Sequence, residues 1–297
     1  MMNSDVHPRE MRGGLPIRAL ALLIGVCAIW AGNAVFLRYS IGIRSLPPIH
    51  VAAGRFLIVA VLLSPLLLRP ITNLPRILVA GLLMGACHFG FLMVGYGQIT
   101  AVASAVLLQI GVPLTALLSM ALGAERLSVR RLLLVVGSTV AIIFALGGPG
   151  QLDLIGASCI ILAAATLSLG SVIMARSGSV GALTIQAWTS IGSAVVLSAL
   201  APLLEPEGLG ELTAQPWLAA ISIVAPALIV TVGAHTVYYH LLKNHPPSLV
   251  SAVTVLFPLL TIVFGVVFLS ETLRAQFVIG TTIAVLILSL LVIDRRR

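Results

Sequence analysis

Charge is scarce in this chain. Asp, Glu, Lys and Arg make up 9% of its 297 residues, against about a quarter in soluble domains, and that shortage excludes a water-soluble globule. Acidic residues are the scarcer sign, nine against seventeen basic, and none of the nine falls inside a long apolar run. A membrane-embedded enzyme built on paired carboxylates is therefore not expected, nor is a carboxylate relay for protons at depth. Cysteine is limited to Cys27, Cys87 and Cys159, each within an apolar segment and at no metal or redox spacing. They read as small hydrophobes, with no metal role. The HExxH zinc motif and the nucleotide-binding P-loop are both missing, which argues against zinc-peptidase chemistry and against ATP-driven pumping by this chain alone. No cofactor is implied. The formal net charge of +8 does not point to nucleic acid, because the basic residues sit singly or in short clusters between apolar runs and not together on one face. A secretory signal is not expected either: residues 1–14 are polar, and the run after them is as long as a full span.

What the chain has in abundance is apolar length. It is 59% hydrophobic, with a mean hydropathy of +1.15. A bilayer core of about 30 Å takes about 20 apolar residues in helix. Ten such segments can be marked, at 17–37, 49–68, 77–97, 101–122, 132–147, 154–175, 183–204, 217–242, 248–269 and 276–293. Breaker clusters such as RSLPP, GGPGQLD, EPEGLGE and KNHPP separate them and leave no room for an additional domain. The expected fold is an all-α integral membrane protein with ten transmembrane helices.

Short loops rich in Lys and Arg stay cytoplasmic. With the N-terminus inside, thirteen basic residues fall on the inner side: Arg9, Arg12, Arg18, Arg69, Arg76, Arg126, Arg130, Arg131, Arg176, Lys243, Arg295, Arg296 and Arg297. The outer side receives Arg38, Arg44 and Arg274, while Arg55 lies within the second segment. Both termini are thus expected in the cytoplasm of a cell whose inner membrane holds the chain.

Two apolar runs carry a central proline. Pro113 lies in SAVLLQIGVPLTALL and Pro258 in SAVTVLFPLLTIVFG, 145 residues apart, about half the chain. The match extends to both sides. Glu125 in GAERL pairs with Glu271 in LSETL at a separation of 146, and GNAVFLR (Gly32 to Arg38) pairs with GSVIMAR (Gly170 to Arg176) at 138. Each half, 1–148 and 149–297, then holds five helices. An odd number sends the second half into the membrane from the opposite face, so the two repeats are inverted.

These residues resemble the EamA branch of the drug/metabolite transporter (DMT) superfamily over nearly the whole chain. The resemblance rests on WAGNAVF (Trp30 to Phe36), AAGRFLIVAVLL (Ala52 to Leu63), and the paired runs from Pro113 to Glu125 in ERL and from Pro258 to Glu271 in ETL. It implies an inverted-repeat carrier with a central cavity, lined mainly by helices one, three, four, six, eight and nine, that moves small metabolites, often outward. Two departures stand out: the interval from Pro113 to Glu125 is one residue short of the expected pattern, and the sixth helix has Ser168 where the first has Trp30.

The candidate substrate-binding residues follow from polarity at depth. Proline has no N–H, so Pro113 gives no helical donor to the carbonyl of Gln109, and Pro258 gives none to that of Thr254. An unmet carbonyl in lipid costs several kcal/mol and must meet protein, water or a ligand. Both kinks are therefore expected to turn a released oxygen toward a shared midplane pocket; the alternative is a kink that only shapes packing. His88 in the third helix and His235, with Tyr238 and Tyr239, in the eighth are costly in hydrocarbon. Each is either a proton carrier or substrate contact, or a neutral packing group. Trp30 and Asn33 share a face of the first helix, with Ser171 the sixth-helix equivalent of Asn33. They either line a cavity or close a tight contact beside Gly32 and Gly170. Arg55 either snorkels about 9 Å to the outer headgroups or partners a substrate carboxylate. Glu125 and Glu271 read as capping groups, and Gly81 with Gly85 as a site of close helix approach.

The function expected is a secondary transporter, in the sense of an exporter, of small metabolites such as amino acids or their analogues, working by alternating access. A membrane-embedded enzyme or a non-transporting scaffold is the competing reading. The partners implied are a small-molecule substrate and the lipid bilayer, with no nucleic acid; the sequence specifies neither the metabolite nor the number of copies.

Overall fold

A computed structural model describes residues 15–122, 128–145, 147, 153–176, 180–245, 253–254 and 256–294. Among these residues the regular structure is helical throughout. The reason is the solvent: in hydrocarbon a backbone must bond to itself, and a continuous apolar run does so only as a helix. Seven helices are long and apolar enough to cross a bilayer: α1 Ile17–Ile43, α2 Pro48–Leu68, α3 Leu74–Gln98, α4 Ala101–Ala121, α6 Leu154–Met174, α7 Ala182–Leu204 and α8, apolar over Pro216–Tyr238. Three others have shorter apolar stretches: α5 (Val129–Ala145), α9 (Leu256–Leu269) and α10 (Ala275–Asp294). A short helix, Gly208–Ala214, joins α7 to α8, which continues through Pro226–Ala234 to His235–Asn244.

The helix starts are chemically marked. Pro48 and Pro216 occupy first-turn positions, where a missing N–H is harmless. Thr100 and Asp153 cap α4 and α6, accepting from Ala103 N–H at 3.1 Å and Gly156 N–H at 2.7 Å. Two further caps come from far along the chain. Glu205, just past α7, takes the N–H groups of Ile49 and His50 at the start of α2, at 2.8 and 3.0 Å. Glu271, just past α9, takes those of Ala101 and Val102 at the start of α4, again at 2.8 and 3.0 Å. The capping role expected of Glu271 is thus present; Glu125 lies outside the described residues.

Three helices contain wider, π-helical turns: Arg38–Ile43 in α1, Leu83–Cys87 in α3 and Pro226–Ala234 in α8. The last two end immediately before His88 and His235. Such turns cluster at functional positions because they rotate the following residues out of the regular helical register.

Helix packing is paired across the chain. The most extensive interfaces are α3 on α6, α2 on α7 and α5 on α10, followed by α4 on α6, α3 on α7 and α1 on α9; α1 also meets α8, and α4 meets α9. The main core lies among α1, α2, α3 and α7, around Leu37, Phe56, Met93 and Leu197. Gly81 and Gly85 admit α7 there: a Cβ on Gly81 would stand 2.8 Å from Thr189 Oγ1, and one on Gly85 would strike Ser193 Oγ. The outward faces carry Val61, Leu133, Val195 and Val267, each more than half exposed, a belt suited to acyl chains. Trp217, 82% exposed at the start of α8, fits an interfacial anchor.

Candidate functional site

Arg55 departs most from a plain reading of its position. It lies seven residues into α2, about 10 Å along the axis, within snorkelling reach of the headgroups. The structure overturns snorkelling: Arg55 is 0% exposed. Nε donates to Thr231 Oγ1 in α8 at 2.9 Å, and the guanidinium carbon lies 4.3 Å from the centre of the Phe89 ring in α3. Thr231 in turn donates to Pro226 O at 3.2 Å, and its own carbonyl accepts from Gln186 Nε2 in α7. Four helices, α2, α3, α7 and α8, therefore converge on one polar node. Both terminal nitrogens, Nη1 and Nη2, are buried and make no hydrogen bond among the described residues.

The two histidines flank this node. His88 is buried, and its Nδ1 donates to Ala163 O in α6 at 2.8 Å. A carbonyl can only accept, so the proton sits on Nδ1 and Nε2 is left as the acceptor. The His88 and Phe89 rings meet edge to face at 4.8 Å. His235 meets Trp30 of α1 edge to face at 5.5 Å, and Trp30 also contacts Tyr238 at 5.2 Å and Phe257 of α9 at 6.4 Å. His88 adjoins Phe89, whose ring lies beside the guanidinium, and His235 follows Thr231, the acceptor of Arg55 Nε, by four residues in α8. Of the residues expected to bind substrate, Trp30, His88 and His235 are thus gathered around Arg55, together with Phe89 and Thr231, which the sequence reading did not single out.

The remaining expectations divide. Asn33 is half-buried with no hydrogen bond among the described residues, which suits a cavity wall. The tight contact imagined beside it is missing at Gly32, where a Cβ would meet nothing within 4 Å; Gly170, by contrast, lies 3.0 Å from Ala80 O by the same measure. Ser171 returns its hydroxyl to Leu167 O at 2.7 Å, a bond within its own helix that turns the donor away from any ligand. The side chain of Tyr239 lies outside the described residues.

The released carbonyl expected at Gln109 is a correction. α4 is interrupted between Ala101–Leu108 and Gly111–Ala121, and the N–H of Val112 bonds Gln109 O at 3.1 Å. The chain tightens to a three-residue bond at the break, which is how helix ends satisfy orphan carbonyls. Pro113, buried, follows that turn. The Gln109 side chain is half-buried and remains available. Beside it, Gly111 O accepts from Ser168 of α6 at 2.9 Å and from Thr115 at 2.7 Å. In α9, Thr261 bonds Phe257 O at 2.9 Å next to the buried Pro258, matching Thr115. Thr254 is half-buried just before α9, and the neighbouring Val253 O receives the Cys27 thiol at 3.6 Å. Cys27 is buried, as a small hydrophobe would be.

An open surface cavity of about 560 Å³ lies near Ile41, Gln98, Glu205 and Glu211. It contains none of the residues expected to bind substrate. Among the described residues no group of three or more His, Cys, Asp or Glu side chains is placed to hold a metal.

Comparison with known proteins agrees with this architecture. The chain is 28% identical over 293 residues, 93% of each chain, to a protein of Salmonella typhimurium (strain LT2) named "Probable amino-acid metabolite efflux pump". A solved structure titled "Crystal structure of protein" superposes with a TM-score of 0.60 at 18% identity, over 94% of this chain and 99% of that one; it speaks to the fold alone. The sequence matches the EamA-like transporter family over residues 17–147 and again over 154–293. A multi-pass, helical membrane chain with this double match belongs to the EamA-like transporter family, a branch of the drug/metabolite transporters.

Proposed function

We propose that this chain is a secondary exporter of small metabolites, amino acids or their analogues, that works by alternating access between two inverted five-helix halves, residues 1–148 and 149–297. The observation that carries the reading is the pattern of helix pairing. If α1 to α5 exchange with α6 to α10, the pairs α2–α7, α5–α10 and α4–α9 map onto themselves. The same exchange turns α3–α6 into α8–α1 and α1–α9 into α6–α4, and all of these pairs are in contact. Local features obey the same exchange. His88 and His235 each follow a π-helical turn. Trp30 meets α9 beside Pro258, and its counterpart Ser168 meets α4 two residues before Pro113.

Inverted repeats of this kind hold substrate near the midplane, between the halves, and rock about it. The node of Arg55, His88, His235 and Trp30 sits at that junction, with Asn33, Gln109 and Thr254 on neighbouring helices as further contacts. The amino-acid class takes support from the name of the Salmonella relative. Basic loops on one side support an inner-membrane orientation with both termini in the cytoplasm. The test is counterflow in proteoliposomes against a panel of amino acids and nucleosides, with His88→Ala and Gln109→Ala beside the wild type. Saturable exchange of amino acids that falls in both variants is expected. No exchange of any compound by folded protein would overturn the reading.

A further inference from the structure

We propose that Arg55 is the seat of a substrate carboxylate, so that the transported metabolite is an organic anion or zwitterion held by its carboxyl group. This rests on the transport reading above and names the substrate class for the same site.

Charge balance points to an external partner for Arg55. The nine acidic residues all lie outside the apolar runs, and those with described side-chain bonds are committed elsewhere. Asp153 caps α6, Glu205 caps α2 and pairs with His50, and Glu271 caps α4. Among the described residues no carboxylate is bonded to this guanidinium, which is wholly buried. Retaining such a charge at depth is costly, which is tolerated where the charge has work to do.

The shape of the node fits a carboxylate. Thr231 takes Nε, and the Phe89 ring faces the guanidinium from 4.3 Å. These two contacts fix the plane and leave the Nη1–Nη2 edge without a hydrogen bond. Two parallel N–H donors on a fixed edge match the two oxygens of a carboxylate. A lysine in the same place would offer a point charge and no fork.

The surroundings of Arg55 suit the same ligand. His88 and His235 bring no negative charge, while Trp30, Tyr238 and Phe257 form an aromatic wall next to His235. Such a wall suits an apolar side chain or an ammonium group on the remainder of the molecule.

The experiment uses purified full-length protein. Thermal unfolding is followed with L-leucine and L-phenylalanine, each against its carboxamide, and with sodium chloride at the same concentration. Counterflow of the same compounds is measured in proteoliposomes. The free acids are expected to raise the melting temperature and the amides and chloride are not. Arg55→Met should weaken the acids at least about tenfold, as expected when a site built for a polar group loses it. Arg55→Met should also melt no lower than wild type, because it removes a buried unpaired charge while Thr231 keeps its bond to Pro226 O; a merely structural arginine would give the opposite. If Arg55→Met does not fold, Arg55→Lys must weaken the acids at least about tenfold while leaving the amides unchanged. Equal effects of acid and amide, an equal effect of chloride, an undiminished effect in the Arg55 variant, or no effect of any acid on wild type would each overturn the proposal. Arg55-dependent stabilisation without exchange would instead overturn the transport reading and leave the carboxylate seat standing.

Discussion

Removing one carboxylate at the rim should loosen a helix that begins more than 150 residues away. Glu205 follows the last turn of α7 and accepts from Ile49 N–H at 2.8 Å and His50 N–H at 3.0 Å, with the His50 ring Nδ1 at 2.8 Å. Its side chain is 15% exposed, so water replaces it only in part. Hydrogen bonds to an ionised group contribute about 1.5–3 kcal/mol each, and truncation leaves donors unsatisfied. Allowing for partial rehydration of the two N–H groups, Glu205→Ala should cost about 2–4 kcal/mol. Glu205→Gln, which keeps one acceptor oxygen and loses the charge, should cost about half as much. Chains of this size shift by about 2–4 °C per kcal/mol, so Glu205→Ala should melt about 4–16 °C below wild type. The assay is unfolding in detergent at one fixed scan rate, since membrane-protein melts are rarely reversible. Glu207→Ala is the matched control: Glu207 is exposed, and its side chain makes no hydrogen bond among the described residues. Should the two variants melt within about 2 °C of each other, less than a single kcal/mol would produce, the cap contributes nothing and the reasoning fails.

Other consequences are open to simpler tests. Gly85→Ala should destabilise by about 1–3 kcal/mol through overpacking, because its Cβ would strike Ser193 Oγ and stand 3.0 Å from Thr189 Cγ2. Gly32→Ala, with nothing within 4 Å, should leave the melting temperature unchanged or raise it by the helix preference of alanine, about 1 kcal/mol. Ser168→Ala removes the bond to Gly111 O and should cost about 1 kcal/mol, with slower exchange in vesicles because the break in α4 loses its tie to α6. In a background with all three cysteines replaced by alanine, a membrane-impermeant maleimide added to intact cells should label Glu207→Cys and spare Arg18→Cys. The reverse pattern would invert the proposed orientation.

The sequence by itself determined where the helices lie. Bilayer thickness and the need for internal backbone bonding leave one structure for a long apolar run, and seven of the marked segments coincide with helices long and apolar enough to cross a bilayer. It also located the two prolines and the close approach at Gly81 and Gly85. What it did not determine is which way each side chain turns. A helix that is apolar on all sides has no stripe to betray its inner face, so Arg55 reads equally well as a snorkelling rim residue and as a buried charge. Its inward direction is decided by Thr231, 176 residues away, and by the Phe89 ring. Glu205, Glu207 and Glu211 look alike in one loop, and only the approach of α2 selects the first as its cap. At Gln109 the missing proline donor was legible, but its replacement by Val112 N–H depends on how the chain tightens at the break. Spacing along the chain records what the bilayer demands; rotation about each helix axis records what distant helices demand, and only the packed structure contains that information.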